Sequence, residues 1–318
     1  MASLNPCPPR RGALLLVDDN SFTWERARRR WLFLTARSLM RLSGFGAAKR
    51  LGAWMGALHY LFGATERRAC LHDLAVLLNR KPGDAQVEQL LREAYRVNTV
   101  AVLEVLSMVD RQLDQKTLEA SCRVEGLEHL EAARTGRGAI LLATHSGNGL
   151  LMAAQLASRG LPVTVVYRHA RMMSMQFFAE GLPRYGIDGI LANEGFRAYA
   201  RMVDALRHNR ILFAMVDQGV KKAETGVTMN FLGKQMPMPG GVMQLARQAR
   251  APIVPVVAVA ADPVWQFAIQ PAMSFLPGGT LEEDMAEVLR ETERQILERP
   301  QLWSWQQRRW RDFPMAEA

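Results

Sequence analysis

The sequence predicts an α/β protein with a mostly parallel central sheet flanked by helices, preceded by an N-terminal layer of amphipathic helices. Two patterns support this prediction. Beyond Val124, short apolar runs alternate with helical segments, which is the rhythm of a βαβ sheet. Before that point, apolar residues recur at three-four spacing, as on one face of a helix. At 318 residues, the chain is long enough to bury a sizeable core.

The N-terminal part divides into two predicted regions. Residues 1–20 are predicted to be a flexible lead-in, because they contain Pro6, Pro8, Pro9, Arg10, Arg11 and Gly12. Residues 21–120 are predicted to be a helical, membrane-associating region, because arginines and lysines alternate with tryptophan, leucine and methionine from Trp24 to Phe62. A basic amphipathic face of this kind lies in a lipid headgroup layer or, equally, packs on a core with its basic side in solvent.

The remaining residues, 121–318, are predicted to form the α/β core. Residues 84–110 carry helical spacing just before it, and residues 282–299 form a final amphipathic helix. Between them, apolar runs predict strands. These runs are Ile140–Ala143, Val163–Tyr167, Ile187–Leu191, Ile211–Val216, Ile253–Ala260 and Trp265–Ile269.

The overall charge limits the partners that the chain can have. Forty Lys plus Arg against 31 Asp plus Glu give +9, which favours nucleic acid, an anionic bilayer, phosphorylated substrates or an acidic carrier protein. The three cysteines have no metal-ligand spacing, so no metal site is expected, and they suit a reducing compartment. No run approaches the roughly 18 apolar residues of a membrane span, and the amino end is a poor signal peptide.

The segment from Gly138 to Gly149 predicts an active-site edge. An apolar run there stops at His145 and continues into a loop of small residues, so the histidine lies at the carboxyl end of a strand. Ligands bind at that edge in open α/β sheets, and histidine exchanges protons near neutral pH. Gly147 and Asn148 follow it, where backbone N–H groups can stabilise an oxyanion or where Asn148 simply caps the next helix.

Several ordered segments resemble the bacterial lipid A late acyltransferases and together cover roughly residues 65–312. They are Val124-Glu125-Gly126, Leu142 to Asn148, Val166-Tyr167-Arg168, Val216-Asp217-Gln218-Gly219, Asn230-Phe231-Leu232-Gly233, Ala251 to Pro255, and Trp303-Ser304-Trp305 with Arg308-Arg309-Trp310.

The resemblance implies a peripheral enzyme at the cytoplasmic face of a bacterial inner membrane. Such an enzyme moves a fatty acyl chain from acyl carrier protein, or from acyl-CoA, to a hydroxyl or amine of a membrane lipid, and it uses no cofactor. His145 takes the role of general base. Phe231 and Gly233 match a segment that lines the acceptor and acyl site, and Arg168 matches an arginine after the second strand. A guanidinium at that strand end suits a phosphate or a developing oxyanion.

One position departs from the family pattern. The carboxylate expected five residues after the histidine is replaced by Leu150, which has no side-chain acceptor. Three explanations are open: another group orients His145, the enzyme works slowly or on an easier acceptor, or the chain is a non-catalytic lipid- or carrier-binding homologue. Among carboxylates, Asp217 is the best candidate for the orienting group because it follows its own strand, although aspartate there also serves as a simple turn residue. Glu104 and Asp110 are weaker because they precede the sheet.

A nucleic-acid function is disfavoured. The arginine-rich segment lies in an amphipathic pattern, and no recognised nucleic-acid-binding module accompanies it. A serine nucleophile at Ser146 is also disfavoured, since the residues around it lack the Gly-x-Ser-x-Gly pattern. Acyl transfer, which the resemblance implies, is the leading hypothesis.

Overall fold

The fold is seen in a computed structural model that describes residues 24–81, 83–168, 176–220, 226–306, 310 and 313. The predicted lead-in of residues 1–20 lies outside these ranges. The mostly parallel α/β architecture with flanking helices is confirmed. Division of the chain at about residue 120 stays a prediction.

The N-terminal layer consists of helices, as the three-four spacing predicts. The basic segment from Trp24 to Phe62 is two helices joined by a short 3-10 turn, and residues 84–110 form one long helix that begins at the side-chain cap of Asp84. The helices of this layer are α1 (Trp24–Ser43), α2 (Ala48–Phe62), α3 (Ala64–Leu77), α4 (Ala85–Asp110) and α5 (Gln115–Ser121).

Helices α2 and α4 approach each other closely because α2 presents two glycines to its neighbour. A Cβ atom at Gly52 would lie 2.6 Å from the Cα atom of Val100, and one at Gly56 would lie 2.7 Å from the carbonyl oxygen of Tyr95. No real Cβ contact is that short, so the backbones meet where only glycine fits. This packing holds α4, which carries residues of the site described below, in a fixed position.

Seven strands form the central sheet in the order β1-β9-β8-β2-β5-β3-β4. All neighbours are parallel except β8 and β9, which form an antiparallel pair. The strands are β1 (Cys122–Glu125), β2 (Ala139–Ala143), β3 (Val163–Tyr167), β4 (Asp188–Leu191), β5 (Ile211–Met215), β8 (Ile253–Ala260) and β9 (Trp265–Ile269). Six of them correspond to the six predicted runs, with ends shifted by at most one residue.

Helices cover both faces of this sheet. They are α6 (Leu127–Ala133), α7 (Gly149–Ser158), α8 (Gln176–Gly181), α9 (Phe196–Arg207), α10 (Gly241–Ala249) and α11 (Leu281–Glu298). Alternate residues of β2 enter different apolar clusters: Ile140 and Leu142 on one face, Ala139, Leu141 and Ala143 on the other. Because side chains of a strand alternate between faces, a strand buried on both sides is a continuous apolar run.

A separate two-stranded hairpin, β6 (Val227–Phe231) and β7 (Lys234–Met238), packs beside the sheet. The apolar pattern did not predict it. Its turn places Leu232 and Gly233 at positive φ angles of 48° and 67°. Gly233, expected to line an acyl or acceptor site, is thus a turn residue, and a glycine is favoured at that angle.

Candidate active site

His145 lies two residues beyond the end of β2, at the carboxyl edge of the sheet. Its backbone N–H donates to Oδ2 of Asp217 at 2.7 Å, and its carbonyl oxygen accepts from the N–H of Ser304 at 3.1 Å. Both bonds fix the main chain. The side chain is 34% exposed, so the imidazole ring is accessible to a reactant while its backbone is fixed.

Asp217 lies in the matching position beyond β5. The parallel pairing aligns Ala143 with Met215, so the two residues that follow by two positions come side by side. Nδ1 of His145 is 2.7 Å from Oδ1 of Asp217. The structure therefore brings together the two side chains that the sequence placed at neighbouring strand ends.

The carboxylate of Asp217 is fully buried and accepts a third hydrogen bond, from Nε1 of Trp303 at 2.7 Å. Burial alone would raise the pKa of Asp217, but the charge and hydrogen bonds of His145 and the bond from Trp303 outweigh it and lower the pKa below its ordinary value. Because an ionised carboxylate can only accept, Nδ1 of His145 must donate, and Nε2 is left with its lone pair.

Trp303 belongs to a cluster of three buried tryptophans. Its ring centroid lies 4.7 Å from that of Trp305 and 5.6 Å from that of Trp310, in edge-to-face arrangements. The ammonium of Lys234 sits 4.2 Å from the Trp310 ring centroid and pairs with buried Asp73 at 3.0 Å. The sequence showed these tryptophans only as part of a resemblance, and nothing in their spacing pointed to a contact with Asp217.

The backbone of Leu302 and Trp303 also holds the loop after His145. Ser146 forms a β-bridge with Trp303, and the N–H of Gly147 donates to the carbonyl oxygen of Leu302 at 3.1 Å. Gly147 has a positive φ of 68°, and a Cβ atom there would lie 2.7 Å from the ring of Trp265. Glycine is thus required both by conformation and by space.

Asn148 caps helix α7. Its Oδ1 accepts from the N–H of Leu151 at 3.0 Å, and its Nδ2 donates to Oε2 of Glu104 at 2.9 Å. Leu150, in the first turn of the helix, packs against two apolar clusters of the core. The family's acid position is therefore occupied by a packing residue, and the orientation of His145 comes from the neighbouring strand.

Glu104 is part of this arrangement, although it precedes the sheet. It is buried in α4 and accepts a second hydrogen bond, from Nε1 of Trp265 at 2.6 Å. Burial raises the pKa of Glu104, and the bonds from Asn148 and Trp265 lower it less than burial raises it. Glu104 also lines a cavity of about 470 Å³, together with Lys49 and Asp262. Contact with the loop after His145 was not foreseen, since no sequence spacing links positions 104 and 148.

Of the other predicted residues, only Arg168 is at the sheet edge that carries His145. Arg168 is exposed and directly follows β3, at the same sheet edge as His145. Phe231 is fully buried in the cluster that contains the tryptophans. Asp110, a weaker candidate for orienting His145, is instead bound by Arg37, whose Nε donates at 2.7 Å, and by Arg41 at 3.1 Å.

Within the described ranges, no group of three or more His, Cys, Asp or Glu side chains is arranged to hold a metal ion. Nor does that part of the chain contain a helix that is both long and apolar enough to cross a bilayer.

Comparison with known proteins finds related sequences among phosphatidylinositol mannoside acyltransferases. Phosphatidylinositol mannoside acyltransferase of Mycobacterium tuberculosis is 27% identical over 190 residues, which is 59% of this chain and 56% of the relative. The enzyme of the same name from Mycolicibacterium smegmatis is 26% identical over 225 residues, covering 67% of this chain and 66% of the relative. The chain thus spans somewhat over half of the length of the first of these relatives.

Among solved structures, the 1-acyl-sn-glycerophosphate (LPA) acyltransferase PlsC of Thermotoga maritima superimposes with a TM-score of 0.37 and 14% identity, over 77% of this chain and 96% of that one. The family model for bacterial lipid A biosynthesis acyltransferases matches residues 19–312. The predicted resemblance is confirmed: this chain belongs to the bacterial lipid A biosynthesis acyltransferase family.

Proposed function

We propose that this protein transfers a fatty acyl chain from acyl carrier protein or acyl-CoA to a hydroxyl or amine of a membrane lipid, with His145 as general base and Asp217 as its partner. The observation that carries the proposal is the 2.7 Å contact between Nδ1 of His145 and Oδ1 of Asp217. It supplies from the next strand the acceptor that Leu150 lacks.

The chemistry follows from the tautomer that this contact enforces. Nε2 of His145 accepts the proton of the acceptor hydroxyl while the oxygen attacks the thioester carbonyl. Asp217 stabilises the imidazolium that forms. When the tetrahedral intermediate collapses, the carbon–sulfur bond breaks, the thiolate leaves and takes the proton from Nε2, and the histidine returns to its starting state.

Arg168 and the loop after His145 have different roles in this proposal. Arg168 is exposed at the same sheet edge, where its charge would bind a phosphate of a substrate or the developing oxyanion. The N–H of Gly147 and the amide of Asn148 already have partners within the protein. They shape the loop, and contact of these two residues, or of Phe231 and Gly233, with a substrate stays a prediction.

A lipid acceptor and an anionic surface are supported by family and charge. The relatives are named for acylating phosphatidylinositol mannoside, a glycolipid. The net charge of +9 would attract anionic headgroups as well as an acidic carrier protein.

Exposed apolar side chains on α1 and α2 support binding to a membrane surface. Trp31, Leu42, Trp54 and Phe62 are between 63% and 88% exposed, and the first two lie on one stripe of α1. Exposed basic residues such as Arg41 accompany them. We propose that this face lies in the headgroup layer at the cytoplasmic side of the inner membrane.

Vesicle sedimentation tests this membrane proposal. The double variant Leu42→Ser with Phe62→Ser should lose most binding to anionic phospholipid vesicles, whereas Phe196→Ser, which removes an equally exposed aromatic ring from α9, should bind like the unmodified protein. Equal binding by all three proteins would contradict the proposed face.

Acyl transfer from labelled acyl carrier protein or acyl-CoA into total inner-membrane lipids tests the activity. His145→Ala should abolish product, and the mass of the product made by the unmodified protein identifies the acceptor. His208→Ala is the matched control, because His208 pairs with Asp204 on the surface at 3.2 Å. Binding of donor or lipid with no product, across several chain lengths, would instead support the non-catalytic homologue.

A further inference from the structure

Glu104 connects three parts of the fold through one carboxylate oxygen. Its Oε2 accepts from Nδ2 of Asn148 at 2.9 Å and from Nε1 of Trp265 at 2.6 Å. The glutamate lies on α4, the asparagine at the start of α7 and the tryptophan at the start of β9. One acceptor thereby ties a helix of the N-terminal layer to a helix and a strand of the α/β core.

Both donors support the loop that follows His145. Asn148 uses its oxygen to cap α7, so its amide nitrogen can face Glu104 in only one orientation. Trp265 lies under Gly147, at a distance that leaves no room for a Cβ atom there. Moving either side chain would shift the turn between His145 and α7.

The surroundings of Glu104 make it hard to replace as an acceptor. The carboxyl group is buried, and within the described residues the charged groups that line the adjoining cavity are Lys49 on α2, Arg96 on α4 and Asp262 between β8 and β9. Lys49 and Arg96 both pair with Asp262, which leaves the amide of Asn148 and the indole of Trp265 as the hydrogen-bond donors to Glu104. Removing the carboxylate of Glu104 leaves the indole of Trp265 without its acceptor and leaves Nδ2 of Asn148 with only a weak contact to Sδ of Met108 at 3.8 Å.

We propose that Glu104 is a positioning residue for acyl transfer: its carboxylate oxygen holds Asn148 and Trp265, and through them sets the loop that presents His145 to Asp217. This inference rests on the proposed function. It assigns a role to Glu104, a side chain of the N-terminal helical layer. The contact between His145 and Asp217 does not by itself involve that side chain.

The test compares three variants. Glu104→Gln keeps an oxygen that can accept both bonds, whereas Glu104→Leu removes it. Glu93→Leu is the control, because Glu93 is on the same helix and pairs with Arg96 instead of with the loop. Two readouts are needed: the steady-state constants over a range of pH, and the downfield proton resonance of Nδ1–H of His145, identified by its loss in His145→Ala.

Glu104→Leu should lower kcat about 10- to 100-fold, since misplacing a catalytic group by about 1 Å costs up to that factor. KM should change less than about threefold, the acid limb of the pH profile should move, and the Nδ1–H resonance should shift or broaden, because the histidine no longer meets Asp217 in the same geometry. Glu104→Gln and Glu93→Leu should match the unmodified protein. A purely structural role would scale the rate equally at all pH values and leave the resonance in place.

Other outcomes would overturn the proposal. These are an unchanged resonance and kcat in Glu104→Leu, or a loss in Glu104→Gln as large as in Glu104→Leu. If Glu104→Leu does not fold, Trp265→Phe removes a single donor and should lower kcat about 3- to 10-fold with the same change in the resonance; no change would overturn the proposal. A shifted resonance in a protein with no acyl transfer would uphold the positioning role and reject the proposed function.

Discussion

Replacing Asp217 by asparagine tests the central contact of the site. Of the three hydrogen bonds that Asp217 accepts, two meet Oδ2, from the N–H of His145 and from Nε1 of Trp303, both at 2.7 Å. An amide oxygen in that position can accept both. The third bond, at Oδ1, is lost, because the NH2 group that replaces Oδ1 donates and would face the donating Nδ1 of His145.

The imidazole must then protonate Nε2 in place of Nδ1, and the lone pair needed to take the acceptor's proton disappears. Loss of the correct tautomer in a histidine–aspartate pair lowers turnover by up to about 10⁴-fold. We expect a fall in kcat of about 10³- to 10⁴-fold for Asp217→Asn, equal to roughly 4 to 5.5 kcal/mol of transition-state stabilisation. KM should change little.

The assay is acyl transfer to extracted membrane lipids with one substrate held at a saturating concentration. Thermal unfolding confirms that the variant is folded. Asp204→Asn is the matched control, since it removes the partner of a surface histidine, His208. Activity of Asp217→Asn within about threefold of the unmodified protein would refute the argument that Asp217 sets the tautomer of His145.

Three further predictions concern Leu150, Gly56 and Glu104. Leu150→Glu should not raise acyl transfer, because Nδ1 of His145 already has a partner, and it should destabilise the fold by about 1 to 3 kcal/mol by placing a carboxyl group among apolar side chains; transfer above that of the unmodified protein would show that the site lacks an orienting acid. Gly56→Ala should lower the free energy of unfolding by about 1 to 3 kcal/mol in a denaturant titration, since its Cβ would meet the backbone of Tyr95, and a gain in stability would contradict the close packing of α2 on α4. The pKa of Glu104 is raised above 4.5, so the folded state holds that proton more tightly, and the stability it contributes is present below about 4.5 and lost as pH rises through the raised pKa. Glu104→Gln, which does not titrate, should therefore gain in melting temperature relative to the unmodified protein as the pH rises above 4.5; a difference that does not change with pH above 4.5 would show that the carboxyl group does not titrate there.

The strands that meet the site could be read from the sequence because they are buried on both faces. Such strands are continuous apolar runs, and β2 and β5 are examples. Their parallel pairing then aligns the residues that follow them, which is why the sequence alone places His145 and Asp217 at one edge of the sheet.

The hairpin β6–β7 was not predicted, because its exposed and buried residues do not form a plain apolar run and β7 contains Pro237. The contacts of Glu104 and Trp303 are harder still to predict from the sequence. Their contacts with Asn148 and Asp217 join positions 44 and 86 residues apart, and those pairings depend on how helix α4 and the last segment pack on the sheet. Local patterns carry no information about such packing.

The C-terminal segment that binds the loop after His145 has a consequence for how the protein is made. Leu302 and Ser304 supply backbone partners to Gly147 and His145, and Trp303 supplies one to Asp217. During translation these residues leave the ribosome more than 150 positions after the histidine. A nascent chain can form β2 and β5 before then, but His145 is not yet locked in place. The candidate site is thus completed only when nearly all of the described chain has been synthesised, and truncation before Leu302 removes three of the bonds that hold it.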